Sequence, residues 1–503
     1  MADVNMLSAI LDDLSNSEDT LSTLLQLKTA LGAINPSQLK DVVPNISFSA
    51  LFDCVNSSDS EQIEVCCDIL DKLLSPLHPA VILQQFQDEF YQALSHPVPR
   101  VRLLCTKQVL RALGVSFQEV ISNLDLFVKM VNLLSDQNLG VAESAGAVLT
   151  RLGETEESLD VLFSGTVVEE MNAVLEMKDE FRYRMFQVIS NVACSSPAAL
   201  LKCSASGLLQ HLLNDLYKDD ILVQLTCLDQ LSNLSMCDHG LQYLAENGTV
   251  EKLENMMGML ETDALVSFLL PGLVKFFGGI ARLHTKEVCD RNSAFLKTVF
   301  HLVTGGDETL MTIAIETIGF IGKSVEGKLA LERHSSQMKM VMKKIGIVIK
   351  DAPSHVRAKA LNAIVDLLHV RLEDQTNETS SVTESWFNSL GNRPMEQIMS
   401  ISTQPFADLR YSTFNIYCVM ALQAWGQQTM NSYPGFNEYL LDRSTENEKV
   451  GKELKYKIVR TLVESPTAAV IYGQPYFMKL REYHREGAFY VRAQAEVVME
   501  GAS

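Results

Sequence analysis

The chain has 503 residues and a mass of 55.9 kDa, and 47% of its residues are hydrophobic against 21% charged. This composition supplies enough apolar surface for an extensive core and excludes wholesale disorder. Sixty-two acidic against 42 basic residues give a formal net charge of −20, which argues against phosphate-backbone binding because that needs clustered lysine and arginine.

The predicted elements are helical from one end of the chain to the other. Apolar residues recur at three- and four-residue spacings almost throughout, and the alternation typical of strands is missing. We expect an N-terminal helical cap over residues 1–50 and a repeat array over residues 51–440. A polar stretch near 372–381 predicts a surface loop inside the array. Residues 441–503 are expected to form a C-terminal helical cap and tail.

An internal repeat appears when residues 229–244 are aligned with residues 316–331. Four apolar or glycine positions then coincide, namely Leu231, Leu234, Gly240 and Leu244 with Ile318, Ile321, Gly327 and Leu331. The first of these positions recurs along the chain as ten apolar anchors: Ile69, Leu110, Leu149, Ile189, Leu231, Phe277, Ile318, Ile364, Tyr417 and Val459. The anchors lie 39 to 53 residues apart. A period near forty residues predicts two or three helices per unit, and such units must stack because none buries its apolar faces alone.

This arrangement resembles the armadillo and HEAT repeat families. The resemblance implies an all-α solenoid of about ten repeats, a right-handed superhelix with a concave face that binds a partner. In armadillo repeats the long third helix lines the groove, with an asparagine two residues after the anchor and a tryptophan four residues before that asparagine. Only two of these positions hold asparagine here and none holds tryptophan, so we do not expect capture of an extended basic peptide.

The same positions of the long helices provide the candidate partner-binding residues. They are Gln187, Asn191, Asp229, Asn233, Glu316, Phe320, Asn362 and Asp366. The acidic members suit a basic folded partner, and the alternative interpretation is a solvated acidic face without a ligand.

No motif for catalysis or for a cofactor is found. The Gly322-Lys323-Ser324 segment could suggest a phosphate loop, but the repeat register places it at the end of a helix. His284 and Cys289 lack a second pair that would complete a zinc site, so we expect no metal, no cofactor and no enzyme.

The compartment is predicted from the cysteines and from the absence of a targeting signal. The ten cysteines contain no CxxC pair and lie among apolar residues, which predicts free thiols in the cytosol, with the nucleus left open. Neither a secretory signal nor a membrane span is visible, so no membrane partner is expected.

Several stretches outside the repeat pattern carry a more specific resemblance. They are Leu270–Gly278, Val325–Lys328, Thr383–Phe387, Gln404–Phe406, Ser432–Phe436 with Asp442 and Arg443, and Tyr490 with Val491. Together with the repeat layout they resemble the family of the 26S proteasome non-ATPase regulatory subunit 5.

That resemblance implies an assembly chaperone of the regulatory-particle base. Such a protein binds the C-terminal small domain of an AAA-ATPase subunit and holds an intermediate that contains a second ATPase and a large non-ATPase scaffold subunit. It leaves before the mature proteasome forms. A structural subunit of the proteasome and a general solenoid adaptor are the alternatives.

Overall fold

The computed structural model describes residues 2–14, 19–35, 38–40, 43–115, 123–259, 267–285, 288–289, 293–305 and 307–490. Within these ranges every regular element is a helix, as the apolar spacing predicted. None of the described helices is long and apolar enough to cross a bilayer. The helices form two compact units, Met1–Asn247 and Gly248–Ser503.

Within the described residues, unit 1 contains two short 3-10 turns, Val43–Asn45 and Leu133–Ser135, and the α-helices given next. The helices are α1 (Ala2–Leu14), α2 (Thr20–Ala33), α3 (Ser49–Val55), α4 (Ser60–Leu74), α5 (Pro79–Gln85), α6 (Gln87–Ala93), α7 (Pro99–Leu113), α8 (Leu124–Asn132), α9 (Leu139–Leu152), α10 (Glu156–Leu162), α11 (Gly165–Leu175), α12 (Asp179–Ser195), α13 (Pro197–Ala205), α14 (Leu208–Leu216), α15 (Ile221–Leu234) and α16 (Asp238–Glu246).

One long helix in each repeat packs against the long helix of the next repeat, and we call these the spine helices. In unit 1 they are α2, α4, α7, α9, α12 and α15, stacked in that order. Shorter helices also stack from repeat to repeat; α13, for example, contacts α10 of the preceding repeat and α16 of the following one. This is the stacking of an α-solenoid, in which each repeat touches only its neighbours.

Unit 2 is built in the same way, with 3-10 turns at Leu372–Asp374 and Arg443–Thr445. Its helices are α17 (Thr249–Gly258), α18 (Leu270–Leu283), α19 (Ser293–Thr304), α20 (Glu308–Ile321), α21 (Val325–Glu332), α22 (Ser335–Asp351), α23 (Ser354–Leu368), α24 (Asn377–Asn388), α25 (Pro394–Ser402), α26 (Ala407–Ala421), α27 (Ala424–Ser432), α28 (Phe436–Leu441), α29 (Lys449–Glu464), α30 (Ala468–Tyr472) and α31 (Gln474–Glu486). The spine helices are α18, α20, α23, α26 and α29, and α31 packs against the last of them.

The anchors predicted from the sequence all lie on spine helices. Nine of them are buried and the tenth, Leu110 on α7, is half-buried. The polar turns before these helices act as caps, as expected: the Asp220 carboxylate accepts from the backbone N–H groups of Leu222 and Val223, and that of Asp307 accepts from Leu310. The all-α solenoid is therefore confirmed, while its hand and its concave face stay predictions.

The stacking extends into both predicted caps. Helix α2, within residues 1–50, packs on α4 as a spine helix, and α29, within residues 441–503, packs on α26. The predicted loop near 372–381 is wrong in its second half, because α24 begins at Asn377. The Thr376 side chain accepts from the Thr379 backbone N–H and the Thr379 hydroxyl accepts from the Thr376 N–H, so a capping box starts a helix within this polar stretch.

The glycines aligned in the repeat mark a close contact between two helices. A β-carbon at Gly240, Gly327 or Gly426 would lie 2.1, 1.7 or 2.3 Å from the carbonyl oxygen of Leu234, Ile321 or Met420, respectively. In each case that oxygen belongs to the end of the preceding spine helix. Only glycine lets the following short helix approach so closely.

We predict that Gly327→Ala destabilises unit 2, because the added methyl group would collide with backbone rather than with a movable side chain. The expected loss is about 1–3 kcal/mol, seen as a lower thermal midpoint. Gly258→Ala is the control, since a β-carbon there has no neighbour within 4 Å; it should be neutral or stabilising by roughly 1 kcal/mol. Equal midpoints for the two variants would contradict the packing argument.

Candidate partner-binding faces

Four of the predicted contact residues lie on two neighbouring spine helices of unit 1. Gln187 and Asn191 are on α12, and Asp229 and Asn233 are on α15. All are exposed except Asn191, which is half-buried. The Asn233 side-chain amide donates to the side-chain oxygen of Asn191 across 2.7 Å, so these two asparagines bridge adjacent repeats.

A groove of about 500 Å³ lies beside this pair and runs over α7, α9 and α12. Both Gln187 and Asn191 line it, whereas Asp229 and Asn233 do not. Its charged lining is mixed and consists of Glu143, Arg151, Glu154 and Arg184. Arg151 occupies the position equivalent to the two asparagines and forms an ion pair with Glu154. The groove is therefore neither uniformly acidic nor a continuation of the asparagine pair.

Two arginines hold the turn that lies beside the groove. Arg102 on α7 forms a 2.6 Å ion pair with Asp136, whose side chain is almost fully buried. Arg184 on α12 donates to the carbonyl oxygens of Leu134 and Asp136 at 2.9 and 2.7 Å. Since both guanidinium groups hold the turn before α9, they set how closely the three spine helices approach one another.

The other four predicted residues lie on neighbouring spine helices of unit 2. Glu316 and Phe320 are on α20, and Asn362 and Asp366 are on α23. Phe320 is 40% exposed. The guanidinium of Arg282 on α18 lies 5.7 Å from the Phe320 ring centroid, and the Ser412 hydroxyl on α26 donates to the Asn362 side chain at 3.3 Å. Four consecutive spine helices thus contribute to this face.

The two acidic residues predicted for partner contact in unit 2 both have lysine neighbours. Lys359 donates to Glu316 at 3.1 Å, and the Lys323 ammonium lies 3.9 Å from the Asp366 carboxylate. Both lysines come from the neighbouring spine segment, so the repeat that supplies the acid also receives a compensating base. Both lysines are visible in the sequence. Which acidic residue each lysine pairs with depends on the register between neighbouring repeats, which only the structure shows.

A buried lysine lies directly beneath this face and was missed from the sequence. Lys328 is 1% exposed and donates to the carbonyl oxygens of Gly322 and Asp366. Burial lowers the pKa of the Lys328 ammonium to about 7. Burial also raises the pKa of the Asp366 carboxyl, although Lys323 and Lys328 act in the opposite direction. Nothing in the local pattern distinguishes Lys328 from a surface lysine.

The predicted residues therefore form two clusters, one in each unit. The Gly322–Ser324 segment is a helix junction, where the Ser324 hydroxyl accepts from the Gly327 N–H and caps α21. Among the described residues no three histidine, cysteine or acidic side chains are arranged to hold a metal ion. The side chains of the two faces are polar, charged and, at Phe320, aromatic.

Comparison with known proteins shows the family of the chain. The model of the family described as "Proteasome non-ATPase 26S subunit" matches residues 4–503. The human 26S proteasome non-ATPase regulatory subunit 5 is 33% identical over 497 residues, which cover 98% of this chain and 99% of the human protein. The chain belongs to the proteasome non-ATPase 26S subunit family. The bovine regulatory subunit 5 is 34% identical with the same coverage.

The solved structures that align with this chain have a lower sequence identity to it than these family members have. An engineered protein of known crystal structure aligns with 90% of the chain and all of its own length, at 14% identity and a TM-score of 0.38. A designed armadillo repeat protein in complex with a (KR)4 peptide aligns with 48% of this chain and 99% of its own, at 18% identity and a TM-score of 0.32. The fold assignment of this member of the proteasome non-ATPase 26S subunit family rests on its own helix contacts.

Lys328 gives this family member a pH-dependent stability that can be measured. The folded chain releases the lysine proton near pH 7, whereas an unfolded lysine keeps it to about pH 10.5. Unfolding above pH 7 therefore takes up a proton, and stability rises with pH in that window. We predict that the stability of the wild type relative to Lys328→Met increases by about 1–2 kcal/mol between pH 6.5 and 8.5.

Urea titrations at the two pH values measure this difference, with Lys339→Met as the control. Lys339 is an exposed lysine on α22 of the same unit, so its removal should shift the curves equally at both pH values. Burial lowers the pKa of the neighbouring His369 below its usual value, which moves its titration toward the acidic side of this window. A pH-independent difference for Lys328→Met would contradict a buried, titrating amine.

Proposed function

We propose that this chain is an assembly chaperone of the 26S proteasome regulatory-particle base. It binds the C-terminal small domain of an AAA-ATPase subunit and holds an intermediate with a second ATPase and a large non-ATPase scaffold subunit. It leaves before the mature particle is complete, and it acts without a catalytic site or a cofactor. Its ten free cysteines suit the cytosol, which we propose as its compartment, with the nucleus also open to it.

The observation that carries this proposal is the full-length relationship to regulatory subunit 5, which covers 98% of this chain and 99% of the human protein. The whole repeat array is therefore common to the two proteins. A solenoid uses its repeated surfaces to bind partners, so a function in proteasome assembly can be located on them.

The chemistry of the spine faces favours a folded partner over an extended peptide. Asn191 and Asn233 are hydrogen-bonded to each other, so this pair does not present two free amides to a peptide backbone. Glu316 and Asp366 have lysine partners, which leaves a mixed surface around the exposed ring of Phe320. Mixed charge around an aromatic centre is typical of interfaces between folded domains.

We predict that purified wild-type chain captures isolated ATPase small domains and that the double variant Gln187→Arg/Asp229→Arg reduces this capture roughly five- to thirty-fold. Both side chains are exposed, so the substitutions should change the surface without changing the core. Affinity is measured by immobilising the chain and titrating each small domain.

The matched control is Gln210→Arg/Asp219→Arg, which makes the same change of charge at exposed positions outside the spine helices of unit 1. In unit 2, Phe320→Ala is compared with Phe406→Ala, since Phe406 is 54% exposed and precedes α26. Equal affinities in both comparisons would show that the partner binds elsewhere. Absence of binding to every small domain would refute the proposed partner.

The name of the relatives supports a second candidate, a lasting structural subunit of the proteasome. Sedimentation of cell extract distinguishes the two roles. A chaperone is found with free base intermediates and is depleted from particles with peptidase activity, whereas a permanent subunit follows the active particles.

A further inference from the structure

Two cysteines and a histidine meet in unit 1, at the junction of two neighbouring repeats. Cys194 lies near the C-terminal end of α12, and Cys237 precedes the first residue of α16. Both thiols are half-buried, whereas the other cysteines of unit 1 are buried. This junction therefore holds the two partly exposed cysteines of unit 1.

The contacts bring the two sulfur atoms together. The Cys194 thiol reaches the carbonyl oxygen of Asn233 at 3.5 Å, and the Cys237 thiol reaches that of the next residue, Leu234, at 3.4 Å. The two sulfurs thus lie at consecutive carbonyls of the same helix end. The two thiols are close enough to interact with each other directly.

Cys237 is in an environment that stabilises a thiolate. Its sulfur lies 3.4 Å from the Nε2 atom of His239, and the backbone N–H of Gly240 is close to it. The same Nε2 atom lies 3.0 Å from the carbonyl oxygen of Ala193. A carbonyl only accepts, so Nε2 carries a proton and can donate to sulfur as well.

The surroundings act differently on the two thiols. Contact with the Cys194 thiol, helped by the nearby Gly240 N–H and by His239, lowers the pKa of the Cys237 thiol to about 6 despite its partial burial. The same contact, with burial, raises the pKa of the Cys194 thiol. One member of the pair is thus a nucleophile at neutral pH and the other is a protonated neighbour, as in redox-sensing cysteine pairs.

We propose that Cys237 and Cys194 form a peroxide-sensitive pair that closes to an intramolecular disulfide between two repeats. The Cys237 thiolate attacks one oxygen of hydrogen peroxide, the O–O bond breaks, and the departing hydroxide is protonated to water. The sulfenic acid left on Cys237 is then attacked by the Cys194 sulfur, which loses its proton. The S–O bond breaks and a second water leaves, so two thiols and one peroxide give one disulfide and two waters.

Gly240 contributes to this chemistry through its lack of a side chain. A β-carbon at this position would lie 2.8 Å from the Cys237 sulfur, in addition to its collision with Leu234. Cys237 lies three residues before Gly240. In the two aligned repeats, the residues three positions before Gly327 and Gly426 are Ser324 and Gln423, whose side chains carry oxygen and not sulfur. The oxidisable junction therefore belongs to this repeat and does not follow from the repeat pattern.

The first test uses the unmodified chain. It is treated with hydrogen peroxide, its remaining thiols are blocked, and it is digested with trypsin without reduction. We expect a cross-link between the peptides 185–202 and 219–252, with fragment spectra that assign the bond to Cys237 and not to the buried Cys227. In Cys194→Ser, dimedone should trap a sulfenic acid on Cys237. Failure to form the cross-link in the wild type overturns the proposal.

A second measurement needs no variant and therefore does not depend on how a substituted chain folds. At pH 7 we expect iodoacetamide to label Cys237 several-fold faster than the half-buried Cys289 of unit 2, because a larger thiolate fraction outweighs the lower nucleophilicity of a more acidic thiol. Equal labelling rates would overturn the assignment of Cys237 as the nucleophile.

His239 is a positioning residue for this pair, and its role has a distinct signature. In His239→Ala the pH at which labelling of Cys237 is half-maximal should move upward, while His239→Gln, which keeps a side-chain N–H, should restore most of the wild-type profile. A profile unchanged by His239→Ala would show that the histidine only fills space. Cys289→Ser controls for general oxidation and should leave the cross-link between Cys194 and Cys237 intact.

Discussion

The stacking of this chain depends on how the C-terminal carbonyls of its spine helices are satisfied. The last turn of any helix leaves carbonyl oxygens without an intrahelical partner, and in a solenoid those ends are covered by the next repeat. Here the adjacent repeat supplies the donors. Lys72 donates to Leu31 at 2.7 Å, and Arg111 donates to Leu74 at 2.9 Å. A repeat that failed to provide such a donor would bury an unpaired acceptor, at a cost of about 1–3 kcal/mol.

The packing of each spine helix on the next also determines which exposed residues become neighbours. Residues about forty positions apart in sequence become neighbours in space, because each spine helix repeats the position of the one before it. Asn233 therefore meets Asn191, and Lys359 meets Glu316. A partner that bound such a face would meet side chains already tied to one another, which lowers the conformational entropy lost on binding. The proposed chaperone function relies on this preorganised surface.

The repeat could be predicted from the sequence, but the side-chain pairs on its surface could not. Apolar anchors and aligned glycines are forced by burial and by close backbone contact, so their spacing predicted the spine helices correctly. The pairing of Glu316 with Lys359 depends on the rotation between two helices, which no local pattern records.

The start of α24 at Asn377 was missed for a related reason. Threonine and serine are weak helix formers, and the composition of residues 372–381 favours a turn. The reciprocal hydrogen bonds of Thr376 and Thr379 outweigh that preference. The burial of Lys328 was not predicted because it depends on two carbonyl oxygens, those of Gly322 and Asp366, that accept hydrogen bonds from its ammonium group. The position of these two acceptors follows from the fold and not from the local sequence.

The junction between α12 and α16 shows what happens when the donors at a helix end are changed. At several other junctions an amine, a guanidinium or an amide donates to the end of a spine helix, as Gln423 does in donating to Leu368 at 2.7 Å. At Ala193 and Asn233 the donors are the imidazole of His239 and the thiol of Cys194. A thiol is a weaker donor than an ammonium or an amide, so this junction loses hydrogen-bond strength relative to its neighbours. The thiol that takes the place of the stronger donor is chemically reactive. A disulfide between Cys194 and Cys237 would replace this weak hydrogen bond with a covalent bond between the two repeats.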